Sequence, residues 1–501
     1  MTTLDTPAVQ AHWKQQKPRP VYWYDPATGE LFVPSGGVAI IRSLIAGRLL
    51  EWLSITPPSR REERMTVYLL AGETNDTAPP HAWYTAPLAD GWAVRYRQEQ
   101  PPLRTATYTR ADRPGLEITF RHTSAWFRTE TSLARVRAAY AALEKRLRRD
   151  WRDPHVVLLA SPAQTGLDLL ARALPRDKSG QPYRYPLPPP ELWELLHTYA
   201  YQHRLELTTL PELETAPGYY YMDGRFAYAA HTRNVPCWLH SHDTTNEFSF
   251  WGWGFYHLTA RVPRGWSHLG IFKQPGELAW PNTPGQMVTT WADSHEIKLA
   301  LEHGWDVQIH ERYLYASASK RAGSDPLRTW TERLVAAYLD CAREELGVYG
   351  PLLKEAVGHL VYDTIGTFKR SATTETVYVP RGEEIPLGAV QVEAVPGGFE
   401  AKVEKPLSDY QLRWAHVHWW AAITHKQRRH LMRRVLKTPR EHIAAIRTDA
   451  AHLLAAPDPA VWEDRGRVGD YRVKGHIEHE IAAPHDETAL FDLMHAAERM
   501  V

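Results

Sequence analysis

Cysteine is almost missing from this sequence. Only Cys237 and Cys341 occur in 501 residues, and neither sits in a CxxC or other zinc-ligand spacing. That excludes a disulfide framework and a cysteine-based metal site, and it favours a reducing compartment. Long apolar runs are lacking too: none approaches the ~18 residues a membrane-spanning helix needs. The opening MTTLDTPAVQ has no basic segment leading into an apolar one. The expectation is a cytoplasmic protein with no membrane partner. Neither sign of charge is in excess, with Lys+Arg 59 against Asp+Glu 58 for a net +1. Any affinity for nucleic acid must therefore come from local patches rather than a global field. Internal repeats and low-complexity tracts are also absent. What remains is a chain with 43% hydrophobic residues, long enough for two to four domains with real cores.

Periodicity organises the chain coarsely. VAIIRSLIAGRLLEWL (38–53) has three-to-four apolar spacing and predicts a helix; Met65 to Leu70 reads as a strand. TSLARVRAAYAALEKRLRRDW (131–151) predicts a helix with its stripe at Leu133, Val136, Ala139, Tyr140 and Leu143, and with Ser132 as cap. Its basic end is a solvated face or a phosphate contact. SGQPYRYPLPPPE (179–191) reads as a linker, because its prolines fix φ and forbid helix interior and central strand alike. LWELLHTYAYQ, WADSHEIKLALEHGW and PLRTWTERLVAAYLDCAREEL read as helices, and the Val-, Thr-, Gly- and Pro-rich stretch 371–405 as a hairpin excursion.

Two aspartates end apolar runs. In GYYYMDGRFAYAA an aromatic strand runs into Asp223; in EHIAAIRTDAAHLLAAP, Ile443 to Ile446 lead to Asp449 and His452 to Ala455 lead away, as in a hairpin with Asp449 at its tip. A carboxylate at the end of a buried strand is costly unless it is paired or binds a cation. Two of them in one cleft form an oxygen-rich site of the kind magnesium prefers. Either aspartate alone is more often a turn or cap residue.

Their flanks resemble the family-B DNA polymerases. DGRFAYA resembles the first palm motif, D-x-x-S-L-Y-P, with Asp223 as metal ligand and Tyr228 in the tyrosine place. IRTDAA resembles the third motif, Y-x-D-T-D-S, with Asp449 on its second aspartate. YQHRLE (201–206) resembles Y-x-G-G, with both glycines replaced. LLKEAVGHLVYDTIGTFKR resembles K-x-x-x-N-S-x-Y-G, HWWAAITHKQRRHL the I-T-A-x-A-R helix, and RVGDYRVKGHIE the L-G-x-W-K-x-E that follows. The similarity spans roughly residues 195–480 and runs nearest to the protein-primed bacteriophage branch.

The resemblance implies an α+β, multidomain fold: a right-hand polymerase with an antiparallel palm sheet, helical fingers, a short thumb and an exonuclease-like (RNase H-like) N-terminal domain. The implied domains are an N-terminal segment (1–60), a degenerate exonuclease-like domain (61–180), a Pro-rich linker (181–195), palm with an insertion (196–310), fingers (311–370), a hairpin insertion (371–405), palm (406–475) and a reduced thumb (476–501). Asp223 and Asp449 would be catalytic and hold two Mg²⁺, with Mn²⁺ able to substitute. Tyr228, Lys354, Arg343, Tyr362 and Gly366 would bind the nucleotide, and Arg204, Arg428, Arg472 and Lys474 the DNA. The implied partners are a DNA primer-template, dNTPs and, in this branch, a priming protein. For Tyr228 the alternative is a core tyrosine; for Lys354 it is a solvated lysine.

Departures from the pattern matter. Arg447 replaces the first aspartate of D-T-D and becomes an ion-pairing competitor at Asp449, and Gly358 stands where the family has its lysine. In VYLLAGETND, Ala71 occupies the aspartate position of the exonuclease D-x-E, with Glu73 as the surviving carboxylate, and LARVRAAYAAL carries no aspartate. A two-metal exonuclease cannot hold its ions on one carboxylate, so no 3′→5′ activity is expected. The clusters HSHD (240–243), HVH (416–418) and HIEHE (476–480) lack the HExxH gap and are expected not to bind metal. The competing reading is a catalytically weak or inactive polymerase-like scaffold that binds nucleic acid.

Overall fold

The computed structural model describes residues 20–34, 37–41, 46–55, 64–70, 91–98, 105–123, 126–127, 132–159, 161–178, 180–200, 204–276, 280–317, 325–341, 350–395 and 398–500. Ala71, Glu73, Tyr201 and Arg343 lie outside them. The chain divides into two compact units, one made of 1–172 with 336–414 and the other of 173–335 with 415–501. The proline-rich stretch 179–191 thus lies inside the second unit, and Pro190 opens a helix, Pro190–Tyr199. Proline at the first helical position costs nothing, since that N–H has no partner within the helix anyway.

In the first unit a seven-stranded sheet runs in the order Val38–Ile40, Glu30–Phe32, Val21–Tyr24, Arg64–Leu69, Arg113–His122, Thr105–Arg110, Trp92–Gln98. Arg64–Leu69 pairs in parallel with both neighbours, and Tyr22, Leu31, Val67, Ile118 and Phe120 build the core beneath Leu49, Leu50 and Leu53. The single helix expected over 38–53 is instead a strand, Val38–Ile40, and a helix, Ala46–Ile55. The β-branched run at its start pairs with Glu30–Phe32, and pairing overrides periodicity. Helix Leu133–Trp151 starts where Ser132 accepts a hydrogen bond from the Arg135 N–H at 3.4 Å. Residues 372–406 form a three-stranded antiparallel sheet, with Gly398–Pro406 between Ala372–Pro380 and Ala389–Val395.

In the second unit the elements, in chain order, are helix α1 (Pro190–Tyr199), strands β1 (Leu205–Leu207) and β2 (Tyr219–Gly224), helix α2 (Ala227–Ala230), strands β3 (Pro236–Asp243), β4 (Trp253–Arg261) and β5 (Met287–Asp293), helix α3 (Ser294–Glu302), strand β6 (Asp306–Ser317), helix α4 (Val417–Val435), strands β7 (Ile443–Arg447), β8 (Ala450–Leu453) and β9 (Tyr471–Ile477), and helix α5 (Glu487–Glu498). The central sheet is antiparallel, ordered β9-β2-β8-β7-β1, and β3-β6-β4-β5 form a second antiparallel sheet. One core joins Met222, Ile446, Ala451, Leu453 and Tyr471 to β4, α3 and α4. A separate core under Tyr219, Ala444, Ala445 and Ile477 receives Leu490 and Ala497 of α5. Side chains alternate across a strand, so the central sheet buries both faces.

Candidate active site

The central sheet brings the two aspartates together. Asp223 is the penultimate residue of β2, and Asp449 lies in the two-residue turn between β7 and β8. β2 and β8 pair with Asp223 opposite Ala450, so Asp449 directly precedes the partner of Asp223. Gly224 makes the approach possible: a Cβ there would lie 2.9 Å from the Ala227 Cβ and 3.3 Å from the Asp449 carbonyl oxygen. Both turns carry a residue in the left-handed region, Phe226 at φ 51° and Thr448 at φ 61°. Bulky or β-branched residues rarely adopt it, and such strain concentrates at functional sites.

Burial dominates the electrostatics of the pair. Burial and then the charge of Asp223 push Asp449 up to about 7. Burial also raises Asp223, although Lys474 and Arg472 pull the other way. Arg472 sits opposite Asp223 across the β2–β9 pair, 3.6 Å from its Oδ2. Lys474 stands 4.8 Å over the Tyr221 ring, 3.4 Å from its hydroxyl and 3.1 Å from Glu498 at the end of α5. Behind this row His452 stacks on Tyr221, with ring centroids 4.9 Å apart, and its Nδ1 lies 2.6 Å from the Tyr219 hydroxyl. Burial drives His452 down to about 3, so it is neutral. Tyr228 is buried on α2, just past Asp223.

Several expectations are corrected. Arg204 is 1% exposed, bonded through Nε to Glu206 (2.8 Å) and through a terminal nitrogen to the Gly270 carbonyl (2.8 Å), over the Trp280 ring. Arg428 is likewise buried and pairs with Glu296 at 2.5 Å. So enclosed, neither guanidinium is placed to meet a DNA phosphate. Tyr471, next to Arg472 on β9, is enclosed by Gln427, Arg434 and Trp462. Arg447 turns away from Asp449: it lies over Phe491 and 3.7 Å from Glu487, both on α5. Lys354, Tyr362 and Gly366 all lie on helix Gly350–Thr367 of the first unit, where the Lys354 ammonium sits 5.0 Å from the Tyr338 ring. His242 bonds Glu311, His416 stacks on Trp419, and His476 lies 3.7 Å from Glu478. The one grouping of metal-type ligands among the described residues is Asp293, Glu296 and His425, which the sequence reading missed. Its visible trace was D-S-H-E, legible as a helix cap.

No protein-family model matches the chain, and no curated protein matches it by sequence. Solved structures do. Phi29 DNA polymerase complexed with primer-template DNA and incoming nucleotides aligns with TM-score 0.60 at 10% identity, over 93% of this chain and 86% of that one. Its primer-template binary complex gives 0.58 at 10%, and its complex with single-stranded DNA 0.56 at 11%, each over 92% and 85% of the two chains. The chain has the fold of a DNA polymerase of that kind. Among the described residues no helix is long and apolar enough to cross a membrane.

Proposed function

We propose that this protein is a template-directed DNA polymerase that adds dNTPs to a primer 3′-hydroxyl, and that it lacks 3′→5′ proofreading. The observation that carries this is the Asp223–Asp449 pair of a polymerase-type fold, one at the end of β2 and the other in the turn leading into its neighbour β8, two carboxylates each raised by burial, with Asp449 raised further by the charge of Asp223. Hard oxygen donors in mutual repulsion suit magnesium, so the residues fit the ion that the fold implies. Asp223 and Asp449 would hold two Mg²⁺ or Mn²⁺, which when bound lower the pKa of the primer hydroxyl and neutralise charge on the triphosphate and leaving pyrophosphate.

The remaining work falls to the protein. Arg472, beside Asp223, binds an anionic oxygen of the incoming nucleotide or the primer. Lys474, kept cationic despite its burial by Tyr221, Asp223 and Glu498, binds the primer phosphate. Tyr228 lies beneath the incoming sugar and excludes a 2′-hydroxyl. With Arg447 engaged by Glu487, the substitution in D-T-D leaves Asp449 without a competitor at that position.

The test is extension of a labelled primer on a DNA template with Mg²⁺ and dNTPs. Asp223→Asn and Asp449→Asn should each cost several kcal/mol of transition-state stabilisation, about three decades in rate. Extension by either variant at the wild-type rate overturns the assignment. A mispaired 3′ end incubated without dNTPs should remain intact; its removal overturns the proofreading claim.

A further inference from the structure

A second grouping of ligands lies in the same unit, away from the paired aspartates, and does not depend on the polymerase reading. Asp293 closes β5 and caps α3, its Oδ1 accepting from the N–H groups of His295 (2.8 Å) and Glu296 (3.0 Å). Glu296 closes the capping box, with Oε2 3.4 Å from the Asp293 N–H, and its Oε1 pairs with Arg428 at 2.5 Å. Those contacts account for Asp293 Oδ1 and for both oxygens of Glu296. They do not explain His425.

His425 projects from α4, and both it and Asp293 are 0% exposed, with Glu296 at 7%. Its Nδ1 lies 3.3 Å from Asp293 Oδ2 and 4.0 Å from Glu296 Oε2, yet neither ring nitrogen is in line for a hydrogen bond with any group. All three ligand atoms fall within 4.8 Å of one another. Imidazole and carboxylates facing a common point, without hydrogen-bond alignment, match donors arranged around a shared ion. Two further groups fix the carboxylates in place: the Trp253 indole N–H donates to Asp293 Oδ2 at 3.0 Å, and Arg428 pairs with Glu296 Oε1. Groups of this kind orient metal ligands. Arg428 offsets one of the two buried carboxylates, and a cation at the shared point would offset the other.

We propose that Asp293, Glu296 and His425 bind one divalent cation of the zinc class. Mixed imidazole and carboxylate donors select such an ion over magnesium or calcium, which take oxygen alone. The ion would tie α4 to the start of α3 and, through Trp253, to β4, so that the second sheet is fastened to the helix behind the central sheet. Its role is structural: it binds the folded state and raises stability with free-metal concentration.

The experiment uses the full chain carrying Asp223→Asn and Asp449→Asn, so that metal at the paired aspartates is not counted. The protein is stripped with a chelator, reloaded with Zn²⁺, gel-filtered and assayed for metal by mass spectrometry. One zinc per chain is expected, lost on adding His425→Ala or Glu296→Gln, with a Tm that rises with Zn²⁺ only where the three ligands are intact. Zinc at the buffer level, or one zinc that survives in a folded His425→Ala protein, overturns the proposal. Should His425→Ala fail to fold, Co²⁺ loading of the unaltered triad decides. Ligand-field absorption of an imidazole-containing, low-coordinate site is expected; the spectrum of the aqueous ion overturns the proposal and leaves a His425 imidazolium as the compensating charge.

Discussion

Asp449 shows how a residue can oppose the fold it serves. Its folded pKa of about 7 lies above the ~3.9 of an unfolded aspartate, so in the metal-free protein the native state holds the extra proton between those values. Stability is therefore retained at low pH and lost as pH rises through about 7. Asp223, Lys474, Tyr471 and Tyr221 are the charged and titratable groups around it. Without divalent ions, Asp449→Asn should raise Tm clearly more at pH 8 than at pH 5, by roughly 2–4 °C for each kcal/mol relieved. Thermal scans at the two pH values check this, and added Mg²⁺ should erase the difference. The same pair was legible in the sequence because an apolar strand delivering a carboxylate is unusual enough to need a partner. His425, Arg204 and Arg428 were not legible. Their partners lie far along the chain, and a cation or histidine in a sequence looks like surface until the groups that enclose it are known.

Helix α5 is fixed at two places, by Arg447 reaching Glu487 and Phe491 and by Lys474 reaching Glu498. Between them the backbone of β9 touches the helix: a Cβ on Gly475 would lie 2.8 Å from the Ala497 carbonyl carbon and 2.8 Å from the Glu498 nitrogen. Backbone atoms cannot step aside as a side-chain tip can. Gly475→Ala should lower stability by about 1–3 kcal/mol, read in urea titrations, and shift Lys474 with the helix that holds it. Glu498→Gln keeps the packing and removes only the charge, so its effect should appear in the KM for primer with Tm near wild type. The sequence showed the central hairpin around Asp449, because short, continuous apolar runs flank a turn. It misassigned Val38–Ile40, since aliphatic residues at three-to-four spacing also satisfy a short strand followed by a helix, and only the neighbouring strand decides.

At the scale of the whole molecule, the three-stranded sheet of 372–406 begins and ends at one point within the first unit, since Ala372 pairs directly with Pro406. Replacing the segment by a short Gly-Ser link should leave the remaining protein folded, with Tm within a few degrees, because the ends to be joined are already adjacent. Unfolding of the rest on deletion, read by circular dichroism, would show that the sheet supports more than itself. The order of strands in the central sheet has another consequence, for synthesis. The strands on either side of β2, β8 and β9, are made only after the whole second sheet, the first unit's 336–414 segment and α4. Throughout that interval the aromatic strand Tyr219–Met222 has two open edges, a template for pairing with any other nascent chain. Production of this protein is therefore governed less by its finished stability than by what shields one tyrosine-rich strand while the ribosome completes its neighbours.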